Sequence, residues 1–221
     1  MRIVLFGPPG AGKGTQGSLL AQAYGIPHIA TGDIIRDHIA RRTEFGLKIE
    51  AAIAGGNFAP DEDILYWVGR RLEEADALRG YILDGFPRDL AQAEAFDRHL
   101  VSASQSIDAV IELTIDQAAL VARLSGRLVC PMCGEPYHLV SRPPRSAGIC
   151  DRDGTELMRR PDDEPEAIAH RFEIYDRVTL PLREYYRASG RYAEVDADGT
   201  PDEVHQRIRT LLDGRKSASL G

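Results

Sequence analysis

Lysine is nearly absent from this chain: Lys13, Lys48 and Lys216 stand against 24 arginines. Positive charge is therefore carried almost wholly by planar, forked guanidinium groups, which suit phosphate and carboxylate oxygens. Positive charge is not in excess either. The formal net charge of -7 excludes nucleic-acid binding by bulk surface charge, so an anionic ligand needs a local cluster of arginines. Long apolar runs are missing, and none approaches the roughly 20 residues of a membrane span. The N-terminal run is about half the length of a signal-peptide core and stops at Pro8-Pro9-Gly10. The expectation is a cytoplasmic protein with neither membrane nor nucleic acid as partner. Cysteine is scarce. Cys130, Cys133 and Cys150 all fall in one short segment, and an odd count of clustered thiols is no disulfide framework. What remains, 221 residues with 43% hydrophobic and 28% charged, fits one large globular domain or a core carrying insertions.

The most informative stretch is Gly7-Pro8-Pro9-Gly10-Ala11-Gly12-Lys13-Gly14-Thr15. It follows the apolar run Arg2–Phe6 and leads into a helical pattern over 16–24. Strand, glycine loop and helix together make a phosphate cradle: backbone N–H groups turn inward and the helix N-terminus faces the same anion. Lys13 adds a mobile point charge that can follow a phosphoryl group. The hydroxyl that usually follows the lysine directly is displaced by Gly14 to Thr15.

Short β-branched runs recur at 3–6, 26–30, 81–84, 109–113 and 192–195, with helical patterns between them. Asp33 is a candidate cap for a helix over 34–41, Asp61 for one reaching 75, and Asp116 for one over 117–125 that Gly126 stops. A long amphipathic pattern covers 164–189 with a bend expected at Pro181, and a last helix runs from Pro201 to near Leu212. This alternation predicts an α/β fold: a five-stranded parallel sheet with helices on both faces and ligands outside the carboxyl ends of the strands. Residues 30–59 and 127–163 break the alternation and read as insertions. The core is then 1–29, 60–126 and 164–214, with a frayed tail over 215–221.

Two further strand ends carry chemistry. Asp84-Gly85-Phe86-Pro87-Arg88 offers a carboxylate beside the phosphate loop for Mg²⁺ and an arginine that can fork onto phosphate. Thr31-Gly32-Asp33 with Arg36 stands at a helix start, although Asp33 alone reads as a plain cap. Arg123 and Arg127 are spaced i, i+4 and would share a helix face. With Arg160 and Arg171 they bracket the cysteine segment, where forked donors suit the charge of a phosphoryl transition state. The six histidines read as incidental.

Cys130-Pro-Met-Cys133 is a zinc-knuckle spacing, and sixteen residues separate it from Cys150-Asp-Arg-Asp153. Asp153 occupies the place of a fourth cysteine. The assignment is a structural zinc site of Cys130, Cys133, Cys150 and Asp153, with His138 the rival fourth ligand and Asp151 a weaker one. A segment this short buries little core, so a metal supplies folding free energy.

The loop at 7–15 resembles that of nucleoside monophosphate kinases, and 84–88 resembles the second signature of bacterial adenylate kinases. The resemblance runs from Met1 to about Leu212. It implies a nucleoside-triphosphatase-type core, an AMP-binding helical insertion at 30–59 and a zinc-binding lid at 127–163. It implies reversible phosphoryl transfer, ATP plus AMP to two ADP, with Mg²⁺ accompanying ATP, by a monomer. On the ATP side it implies Gly10, Ala11, Gly12, Lys13, Gly14, Thr15, Arg127, Pro136, Tyr137 and Gly199. On the AMP side it implies Thr31, Arg36, Asn57, Phe58, Ala59, Gly85, Phe86, Pro87, Arg88, Gln92, Arg160 and Arg171. Gln92 on the adenine edge has independent support, since an amide can pair with adenine's donor and acceptor together. Lys13, Arg88, Arg123, Arg127, Arg160, Arg171 and Asp84 are the expected catalytic set. A kinase for UMP, CMP or GMP and a nucleotide-gated ATPase are the alternatives.

Overall fold

In a computed structural model that describes residues 1–55 and 57–218, five apolar runs form one parallel sheet. They are β1 (Arg2–Phe6), β2 (His28–Ala30), β3 (Tyr81–Asp84), β4 (Ala109–Thr114) and, last in the chain, a strand over Tyr192–Asp196. The spatial order is β2-β3-β1-β4 and then the last strand, in register through pairs such as Val4–Leu83 and Val4–Val110. Alternation along β1 feeds two cores. Ile3 and Leu5 face one side with Ile82, Ile111 and Leu113, while Val4 and Phe6 face the other with Tyr81, Leu83 and Val110.

Helices cover both faces. α1 (Lys13–Tyr24) packs Leu20 into the first core, where the C-terminal helix adds Val204, Ile208 and Leu212. The second core takes Ile35 from α2 (Thr31–Ala40), Ile49 from α3 (Glu44–Ala54), Val68 from α4 (Asp61–Leu72) and Phe96 from α5 (Leu90–Ser102). α6 (Gln117–Ser125) follows β4. Asp116 caps it by accepting from the Ala118 N–H at 2.8 Å, and it stops at Gly126 as expected.

Two local expectations are corrected. α2 begins at Thr31 rather than after Asp33, and the Asp33 carboxylate pairs with Arg36 instead of capping. α4 has Pro60 at its cap position, so Asp61 is the first helical residue, free to bond elsewhere. α5 fills the helical stretch expected between β3 and β4, and Asp89 caps it by accepting from the Gln92 N–H at 2.8 Å.

The long C-terminal pattern is α7 (Pro165–Ile174), a π-helical segment (Tyr175–Thr179) and α8 (Leu182–Ala188), so the bend starts before Pro181. The break covers the turn before Pro181, where the proline ring crowds the carbonyl four residues back, and a buried carboxylate braces it. Glu112 on β4 accepts from Tyr175 Oη at 3.2 Å and Arg183 Nε at 2.8 Å, one group on each side of the bend. Between β4 and α7, β5 (Arg127–Val129) and β6 (Pro136–His138) form a separate antiparallel ribbon over a small core of Cys130, Tyr137, Cys150 and Leu157. The strand Tyr192–Asp196, now β7, leads to α9 (Pro201–Ala218). That helix runs past Leu212 because Arg215 donates to the carbonyls of Arg191 at 2.9 Å and Tyr192 at 2.7 Å. The expected tail therefore does not begin at 215, and its last part, 219–221, lies outside the described residues, as does Gly56 of the Gly-Gly-Asn turn.

Gly7 decides how the phosphate loop leaves β1. Its φ is 133°, and a Cβ there would sit 2.6 Å from the Leu113 carbonyl oxygen on β4. Gly7→Ala is expected to cost about 1–3 kcal/mol, read as a lower melting temperature in calorimetry, with weaker triphosphate binding.

Candidate active site

The sheet's strand order reverses beside β1, and the segments after β1, β2 and β3 meet at that carboxyl edge. Gly12 caps α1 in a left-handed conformation without any side-chain bond, which leaves the helix N-terminus open for an anion. Lys13 Nζ donates to the loop's own carbonyls, Gly7 O at 2.8 Å and Pro8 O at 3.0 Å. Burial pushes its pKa down to about 8. Asp84 opposes the shift, while Arg171, Arg88 and Arg127 reinforce it. Thr15 lies exposed in the first turn of α1.

Asp84 ends β3. Burial alone would raise its carboxyl, but His28, Lys13 and Arg88 outweigh burial and hold it below the usual range, hence ionised. The His28 imidazole Nε2 lies 3.5 Å from Asp84 Oδ2. A Cβ at Gly17 would fall 2.4 Å from that nitrogen, so the ring rests on bare helix backbone. His28 is thus not incidental. The signal for it was a histidine one strand away from an isolated carboxylate, which becomes visible only with strand order.

A second recess opens on the other side of Arg88. Thr31, Ile35, Phe58, Ala59, Ile64, Gly85, Arg88 and Gln92 line it. Thr31 Oγ1 donates to Gly85 O at 2.9 Å, Arg88 Nε donates to the same oxygen at 2.7 Å, and the guanidinium lies 4.5 Å over the Phe58 ring. Gln92 is buried beneath it. Phe86, expected along the ligand, instead packs edge-on against Phe96 in the core, and Pro87 follows through a cis peptide. Asn57 Oδ1 is 2.9 Å from His170 Nε2 on α7, which ties the insertion to the helix after the lid.

The arginines converge, with one exception. Arg127 grips Asp163 with two donors, Nε at 2.6 Å from Oδ2, and Arg171 Nη1 reaches Asp162 Oδ2 at 3.0 Å and Asp163 Oδ1 at 3.3 Å. Arg160 is half-buried, and its Nε is buried with no hydrogen-bond partner. Burial, then neighbouring guanidiniums, lowers Arg88 and Arg160 to about 10, so both stay charged at neutral pH. Burial also lowers Arg171, though Asp162 offsets part of it. Asp162 and Asp163 are the counter-charges that the sequence reading missed. Their signal was an acidic pair one proline beyond a lid-end arginine. Arg123 and Arg127 do not share a helix face as expected. Gly126 ends α6 between them, and Arg123 donates to Ala197 O at 2.9 Å and Gly199 O at 3.4 Å.

In the ribbon, ligand atoms of Cys130, Cys133, Cys150 and Asp153 lie within 4.8 Å of one another. Cys133 Sγ is 3.6 Å from Cys150 Sγ, close to the edge of a zinc tetrahedron with Zn–S of about 2.3 Å and far from a disulfide bond. The backbone N–H groups of Cys133 and Arg152 point at the Cys130 and Cys150 sulfurs, and Thr155 N donates to Asp153 Oδ1 at 3.0 Å. This donor set fits a four-coordinate metal. Neither rival ligand is in it: His138 Nδ1 accepts from the Val140 and Ser141 N–H groups, and Asp151 Oδ1 accepts from Arg145 N. Tyr137 is buried against this core, and its hydroxyl lies 3.5 Å from Cys150 Sγ. Any nucleotide contact there must come from its backbone.

Residues 5–191 match the family described as adenylate kinase. The adenylate kinase of Anaeromyxobacter sp. (strain Fw109-5) is 46% identical over 212 residues, covering 96% of this chain and 99% of that protein. That of Bacillus subtilis (strain 168) is 44% identical over 216 residues, 98% of this chain and all of that protein. That of Caldanaerobacter subterraneus subsp. tengcongensis is 42% identical over 214 residues, 97% of each.

The depressed lysine gives a pH dependence. A bound polyphosphate favours protonated Lys13, so binding above pH of about 8 must draw a proton from solution. Triphosphate affinity is expected to hold near neutral pH and weaken as pH rises past about 8. Calorimetry in buffers of differing ionisation enthalpy should show proton uptake that Lys13→Met abolishes.

Proposed function

The chain belongs to the adenylate kinase family of phosphotransferases, whose reaction is ATP plus AMP to two ADP, and from that premise we propose how its residues divide the work. The phosphate loop, Gly10 to Thr15 with Lys13, holds the donor's β- and γ-phosphates. Gly199 and the backbone at Pro136 and Tyr137 lie along its base and ribose. The second recess takes AMP: Thr31, Asn57, Phe58, Ala59, Gly85 and Gln92 face its nucleoside, while Arg36 and Arg88 hold its phosphate. Thr15 and the ionised Asp84 form the side that would hold Mg²⁺, which neutralises charge on ATP when bound.

One observation carries this reading. Arg127 and Arg171 converge on Asp163, both act on Lys13, Arg171 also acts on Arg88 and Arg127 on Arg160, so the five cations share one field in which a phosphoryl group in transit would lie. An AMP phosphate oxygen attacks the γ-phosphorus, the bond to the β–γ bridging oxygen breaks, and that oxygen leaves with ADP. No proton need move, so the protein contributes position and positive charge, with Arg123 anchoring the β7–α9 turn beside the loop. Closure of 30–59 and 127–163 over the core excludes water, which keeps ATP from hydrolysis.

The Cys₃Asp cluster serves as a structural zinc site that keeps the lid rigid. Its thiols require a reducing compartment, which supports the cytoplasm, and both recesses come from one chain, which supports a monomer. No described helix is long and apolar enough to cross a membrane.

A coupled assay across AMP, UMP, CMP and GMP, on protein of measured metal content, tests the activity. ADP formed from ATP with AMP far faster than with the others is expected. Hydrolysis of ATP indifferent to AMP would contradict it. Removing the metal with a chelator is expected to lower the melting temperature while leaving residual activity. Asp153→Ala should lose zinc more readily than His138→Ala.

A further inference from the structure

Gln92 can read a base only if its amide faces the right way, and an amide can flip. Here both ends are engaged. Gln92 Oε1 accepts from the Arg88 backbone N–H at 2.9 Å, and Nε2 donates to Asp61 Oδ1 at 2.5 Å. A flipped amide would set oxygen against carboxylate and NH₂ against N–H, losing both bonds. Asp89 holds the residue from its other side, accepting from the Gln92 backbone N–H at 2.8 Å. Asp61 is available for this bond because Pro60 occupies the cap position of α4.

The locked amide keeps one lone pair on Oε1 and one hydrogen on Nε2. Adenine presents the complement: its 6-amino group donates and its N1 accepts. A 6-oxopurine presents the inverse, an oxygen at position 6 and an N–H at position 1. We propose that Asp61 is a specificity-determining residue that acts through Gln92, fixing the amide in the orientation that accepts adenine and rejects 6-oxopurines. The proposal rests on Gln92 as the reader of the acceptor base. Asp61 touches no substrate and is a positioning residue.

Asparagine at 61 keeps the shape but can donate as well as accept, so it no longer dictates the flip. The test measures kcat/KM for AMP and for inosine monophosphate, the 6-oxopurine without guanine's extra amino group. It uses the whole protein with MgATP, as wild type, Asp61→Asn, Gln92→Ala and the double variant, each with its melting temperature. Asp61→Asn is expected to lower the AMP-to-IMP ratio roughly five- to tenfold, with little change in melting temperature. In the Gln92→Ala background the same substitution should leave the ratio where Gln92→Ala alone put it. An unchanged ratio in Asp61→Asn, with a lowered one in Gln92→Ala, overturns the lock and leaves the base reader standing. No change in Gln92→Ala overturns both. An equal effect of Asp61→Asn with and without Gln92 means that Asp61 does not act through the amide, and also overturns the proposal.

Discussion

The desolvation of a cluster of part-buried cations is the constraint on which the rest of this structure depends. Lys13, Arg88, Arg160 and Arg171 are all pushed down from their ordinary values, first by burial and then by neighbouring guanidiniums, Arg36 and Arg127 among them. Held apart from water, such a set needs negative charge nearby. Asp84 supplies it beside the lysine, and Asp162 and Asp163 supply it to Arg127 and Arg171. The counter-charges balance only part of the cluster: Arg160 keeps a buried Nε with no acceptor. Phosphates of two nucleotides would complete the balance.

Everything else keeps these charges in place. Two apolar cores clamp the sheet from both faces, so the ends of β1, β2 and β3 present Gly7, Thr31 and Asp84 at one edge. Buried Glu112 ties the bent helix that carries Arg171 back to β4 through Tyr175 and Arg183. The ribbon that joins Arg127 to Arg160 has a core of a few residues, and its Cys₃Asp cluster offers a metal where apolar burial is lacking.

Much of this was legible because it is local or periodic. The phosphate loop announces itself by glycine spacing, the sheet by β-branched runs, and the metal cluster by Cys-x₂-Cys with a second half. What was not legible depends on partners distant in sequence. Asp61 looked like a cap and is instead bonded to Gln92, 31 positions away. His28 looked idle until strand order set it beside Asp84. The brace on the C-terminal helix comes from Glu112, a strand residue that no helical pattern could reveal. Arg123 and Arg127 had the spacing of one helix face, but a single glycine ended the helix between them.

The most direct test of a shared charge pocket is the melting temperature with a ligand that fills both recesses at once, two adenosines joined by a polyphosphate chain. This ligand is predicted to raise the melting temperature well beyond ATP or AMP alone at equal concentration, and Arg171→Ala should remove most of the excess. A joined ligand that stabilises no more than ATP would contradict the account.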